Sequence, residues 1–245
     1  MSDKLDLSIV QSDNNVVRMG MGCSFLFLIL FIIPYIQGFA SGRLGLASLD
    51  SRKDFTISNV LEVSNRLLQI VVIYVFIACS MIYLAWQNFF VDDKRMIIPL
   101  SGYAFGLAMI LILWVDRKSR PKMHYFLTII VFVVGTIFNS AVYIAYRSFY
   151  DRKELLMLEF AAYGSLAIGA AVIIAVAVWH FVPRIGKLKM IDIVAGLELL
   201  HVSVLTITIF YISNLPPLPD ELGNVVDFQG QTMKFTYAQP RKAII

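Results

Sequence analysis

The 245-residue chain predicts an all-α fold, a polytopic transmembrane bundle of six helices, and three observations carry that prediction. Hydrophobic residues make up 58% of the chain and charged residues 16%, with a mean hydropathy of +0.74. A soluble domain runs at roughly 45–50% apolar and about 25% charged. The apolar excess is spread in blocks along the whole length, each near the ~20 residues that a helix needs to cross hydrocarbon. Short polar or basic connections separate the blocks. A six-helix domain over residues 19–215 is therefore expected, between a polar N-terminal tail (1–18) and a C-terminal tail (216–245).

The elements follow in order. The first span is expected over Met21–Ala40, with Pro34 near its end. The preceding tail lacks the basic n-region, short apolar core and small-residue cleavage site of a secretory signal, so the span is read as a signal anchor. The longest connection, SGRLGLASLDSRKDFTISNV, leads into a second span from about Leu61 to Trp86. Glu62 and Arg66 stand at its mouth, four residues apart, where a helix makes them neighbours. After VDDKR the third span covers Met96–Val115, and after the basic DRKSRPK the fourth covers His124–Tyr146. The fifth is Leu155–Phe181, with Gly164, Ser165, Gly169 and Ala170 allowing close helix approach. The sixth is Met190–Leu215, with Asp192 at its mouth, and the tail beyond shows no sustained periodicity.

An even number of spans puts both termini on one side. Of the 21 basic residues, ten fall on the terminal side and ten in the first, third and fifth loops, so the positive-inside rule leaves orientation open. Cys23 and Cys79 both lie in apolar blocks and are read as membrane-buried thiols. The net charge of +4 is ordinary for basic loops, and no nucleic-acid partner is expected. No N-x-Ser/Thr acceptor site occurs.

The chemistry concentrates in the sixth span, GLELLHVSVLTITIFY, where Glu198 and His201 are three residues apart and share a helix face. A carboxyl at membrane depth costs ~2.5–3.5 kcal/mol on insertion scales and usually faces a bundle interior or water. Counting spans places Glu62, Arg66, His124, Glu198 and His201 toward the side of the first, third and fifth loops, with His180 returning to it. Glu159, Gln87 and Asn88 fall in the opposite half, and Asn139 nearer the middle. The five form a candidate polar pocket open to one leaflet and able to hold a phosphate headgroup, a proton or a metal. The competing reading is an interhelical hydrogen-bond network that locks packing.

Other classes find no support in the sequence. There is no Gly-x-Ser-x-Gly, His-Glu-x-x-His or P-loop. One Glu-x-x-His is short of the two, plus two further Glu, that a di-iron bundle uses. Asp92 and Asp93 sit in a short turn, read as solvated. No span carries the regularly spaced charges of a voltage sensor or the Lys of a retinal Schiff base. No catalytic, cofactor or metal residues are assigned and no cofactor is expected.

The layout resembles the six-span damage-regulated autophagy modulator (DRAM) group, with the FRAG/SFK-type proteins and remodelling factors of GPI anchors. The long polar first loop running through DFTISNVLEVSNRLL carries this resemblance, together with the His-led fourth span HYFLTIIVFVVGTIFNSAVYI. The Glu-led last span, ending in Phe210 and Tyr211, is similar too, though Leu199 follows Glu198 where the family commonly has an aromatic residue. The resemblance implies residence in an endomembrane (lysosome, Golgi or ER) or the plasma membrane, lipids as partners, and a role in lipid organisation, trafficking or autophagy. A non-enzymatic role is the leading expectation. Two others stand beside it: a GPI-anchor or lipid-remodelling factor using His124 and Glu198 as acid and base, and an accessory subunit of a larger channel or receptor complex.

Overall fold

The computed structural model describes residues 14–50, 53–57, 59–60, 73–75, 77, 95–115, 120–181, 187–212, 215, 218, 224–226 and 232–234. Its five complete helices are α1 (Asn14–Ala40), α2 (Ile97–Trp114), α3 (Pro121–Arg147), α4 (Leu156–Phe181) and α5 (Lys187–Ile212). They correspond to the first, third, fourth, fifth and sixth expected spans. Of the second expected span, 73–75 and 77 are helical and the remainder lies outside the described residues.

Helix ends follow local chemistry. Pro121 opens α3 at a position where a missing N–H costs nothing. Pro34 sits inside α1 without ending it. α1 closes at Gly42, whose φ of +65° turns the chain back so that the Arg43 and Leu44 N–H groups both donate to the Gly38 carbonyl. Between α3 and α4 the chain makes a 3-10 turn, Arg152–Leu155, so α4 starts one residue later than the apolar pattern suggests. The C-terminal tail, read as patternless, contains a short antiparallel pair, β1 (Asn224–Val226) with β2 (Thr232–Lys234), in which Val225 faces Met233.

Helix neighbours in sequence are neighbours in space: α2 packs on α3, α3 on α4 and α4 on α5, while α1 closes against α5. Lys122–Arg147, Arg152–Ala175 and Lys189–Ile212 are each long and apolar enough to cross a membrane, and Ile97–Ile112 is a shorter apolar helix. Together they make this a membrane protein. The outward faces are apolar too, with Ile144, Phe160, Ile173 and Ile174 more than half exposed. Small residues line the inner contacts. Gly164 faces Val204 of α5 and Gly169 faces Thr136 of α3, while Ser165 is fully buried and Ala170 is exposed. Gly106 of α2 admits the side chain of Ile77, which brings the second span against α2.

Candidate functional site

The candidate site begins with the buried stripe of α5. Glu198, His201, Val202, Val204, Leu205 and Thr208 are buried there, the 3–4 residue spacing of a helix packed along one side. The polar members of that stripe meet different neighbours.

Glu198 meets the first loop. Its Oε2 accepts the Ile57 N–H at 2.7 Å. Ile57 begins the second helix, where Val60 N–H already donates to the Thr56 carbonyl at 3.0 Å. The first N–H groups of a helix have no partner within it, and an acidic side chain there supplies an acceptor and suits the helix dipole. Glu198 thus caps the second helix from across the bundle.

The loop is shaped to reach that point. Asp54 accepts from both Thr56 N–H (3.2 Å) and Thr56 Oγ1 (2.5 Å), and its carbonyl accepts from Asn59 Nδ2 at 2.7 Å. This is a side-chain-stabilised turn typical of Asp before a helix. From α1, Tyr35 donates to the Phe55 carbonyl at 3.1 Å and lies within electrostatic reach of Glu198 and Asp54. Asp54, Thr56, Ile57 and Val60 are all buried.

Nearer the mouth, Asp192 fastens the same loop. Its carboxyl accepts from Ala47 N–H (2.7 Å), Ser48 N–H (3.0 Å) and Ser48 Oγ (2.5 Å). Asp192 and Glu198 are six residues apart, about 9 Å along a helix. The first loop therefore descends along α5 between two carboxyl groups, and this polar connection is partly interior.

His201 turns instead to α3. Its ring stands 4.7 Å from that of Phe132, and Gly135 leaves the space it occupies: a Cβ on Gly135 would lie 2.6 Å from Nε2. His201 is 1% exposed and neither ring nitrogen has a hydrogen-bond partner among the described residues. His124, also buried, has Nδ1 3.0 Å from the Val115 carbonyl and so ties together the ends of the α2–α3 connection. Gly135 is eleven residues beyond His124, roughly 16 Å along α3, so the two histidines occupy separate levels. Glu62 and Arg66 lie outside the described residues, as does the side chain of His180.

The far half of the bundle carries its own polar contacts. Arg152 holds Glu159 through two contacts, 2.7 and 2.8 Å. Asn139 Nδ2 donates to Ser165 Oγ, and Thr136 Oγ1 to the Ser165 carbonyl at 3.3 Å. Among the described residues no group of three or more His, Cys, Asp or Glu is placed to hold a metal.

The sequence puts Glu198 and His201 on one face of the last helix, and both are buried there, but it does not show what Asp192, Asp54 and Tyr35 do. Asp192 was visible as a mouth acid; its partners are backbone amides, which leave no mark in a sequence. No known protein family, curated protein or solved structure matches the chain.

Proposed function

We propose that the protein is a six-span membrane protein, of the type the DRAM resemblance describes, that modulates lipid organisation or trafficking in an endomembrane or the plasma membrane without catalysing a reaction. The observation that carries this reading is the seat of the first loop on Glu198. Together with the Asp192 contacts nearer the mouth, it lays a polar, hydrogen-bonded segment along the membrane-spanning α5 that opens at one mouth of the bundle. Lipid headgroups approach a bundle at such a mouth, and the apolar outer faces of α3 and α4 provide the adjoining acyl-chain surface.

Two experiments test it. Native mass spectrometry of protein purified from membranes should find bound lipid on the wild type and a depleted or altered set on Glu198→Gln, with expression and membrane insertion unchanged. An identical lipid set on the two proteins, or a variant that fails to fold, would make the seat purely structural. The span number is tested separately in a background with Cys23 and Cys79 replaced. Ser41→Cys and Ser119→Cys should react with an impermeant thiol reagent from one side, and Ser148→Cys from the other. Labelling of all three from one side contradicts six spans.

A further inference from the structure

We propose that the first loop carries an interfacial lipid anchor: the turn Leu46–Leu49, fastened by Asp192, seats two outward leucines at the headgroup–acyl boundary. This goes beyond the proposed function and requires only that α5 crosses the membrane, not that the protein modulates lipids.

The turn is a single helical one, with Leu49 and Asp50 N–H groups both donating to the Leu46 carbonyl at 3.1 Å. Like any helix start it leaves its first amides without internal partners. Those amides, Ala47 and Ser48, are the ones Asp192 accepts, reinforced by Ser48 Oγ. The clamp fixes which way the turn faces. Ala47 is buried against the bundle, while Leu46 is 45% and Leu49 83% exposed. Leu49 is the most exposed large apolar residue among those described.

Depth identifies what covers them. The candidate span Lys189–Ile212 is centred between residues 200 and 201, which puts Asp192 about 13 Å from the middle at 1.5 Å per residue. The hydrocarbon half-thickness is ~15 Å. The turn beside Asp192 therefore sits at the boundary, where leucines enter acyl chains and cations reach phosphates. The local sequence suits that position. Ile36 and Phe39 are exposed at the end of α1, shortly before the turn in the chain, and Arg43 is exposed between them and Leu46 in sequence. A basic side chain there lays its stem on apolar surface and its head among phosphates.

The test is a nitroxide attached at Leu49→Cys in protein lacking Cys23 and Cys79, reconstituted in phosphatidylcholine–phosphatidylserine nanodiscs. Collision rates with oxygen, which prefers lipid, and with a water-soluble nickel chelate are read against lipid spin labels of known depth. The expected result is oxygen collisions exceeding nickel collisions, at a depth matching labels near the carbonyl region. Asp192→Ala should reverse that preference by unfastening the turn. A Leu46→Cys label repeats the depth reading without altering Asp192, should that variant fold poorly. A label that meets nickel more than oxygen places the turn in water and overturns the proposal. One shielded from both is covered by protein, a second copy in this preparation, and overturns it as well. An unchanged reading in a folded Asp192→Ala protein also overturns the proposal, since Asp192 would then not be what seats the turn.

Discussion

Glu198→Ala is expected to unseat the first loop and lower stability by ~1–3 kcal/mol, the cost of leaving a buried donor, here the Ile57 N–H, without its acceptor. An opposing effect has to be weighed. Removing a carboxyl from membrane depth favours insertion by ~2.5–3.5 kcal/mol on translocon scales. That gain belongs to the step from water into lipid. Unfolding within the bilayer keeps the sixth helix inserted in both states, so there the lost hydrogen bond dominates. Glu198→Gln keeps an amide oxygen in place of Oε2 and should recover most of the loss. Heat unfolding in nanodiscs should rank wild type, Gln and then Ala. An alanine variant as stable as wild type would mean that the Ile57 contact contributes nothing.

Gly135→Leu is expected to have the other large effect, because Gly135 makes the room in which His201 packs. A first added carbon already falls 2.6 Å from His201 Nε2 and 3.2 Å from Leu205 Cδ1, so those side chains must shift or α3 and α5 part to admit a leucine. Overpacking of this kind costs typically 1–3 kcal/mol and occasionally more. Gly135→Ala sets two terms against each other. Alanine gains ~0.8–1.0 kcal/mol of helix propensity over glycine, while the clash opposes it, and a net loss of roughly 1 kcal/mol is expected. Replacing His201 by alanine removes the main obstacle. In that background Gly135→Ala should become neutral or stabilising, a change of sign that a double-mutant cycle reads directly. A cost for Gly135→Ala that persists without His201 would place the conflict elsewhere.

The two expectations also mark what could be read from sequence. The helices were legible because hydrocarbon demands long apolar blocks, and α1, α3, α4 and α5 begin or end within a few residues of the expected bounds, apart from the earlier start of α1. The shared helix face of Glu198 and His201 followed from their spacing, and both are buried. Their partners did not follow from it. Glu198 bonds a backbone amide 141 positions away, and no side-chain pattern announces such a contact. A shared helix face suggested a joint role with His201, yet α5 is flanked by the first loop and by α3, and residues three apart can look to either. His124 shares a side with them by span counting but is used at the α2–α3 connection. The glycine opposite His201 was visible as Gly135 in the fourth span, though only packing pairs the two.

The central claim, that the first loop is seated along α5 by Asp192 and Glu198, is tested most directly by amide hydrogen exchange of the protein in nanodiscs. The amides of Ala47, Ser48 and Ile57 should exchange slowly, with protection at Ile57 lost in Glu198→Ala and at Ala47 and Ser48 lost in Asp192→Ala. Fast exchange at all three amides in the wild type, as in an open polar loop, would contradict it.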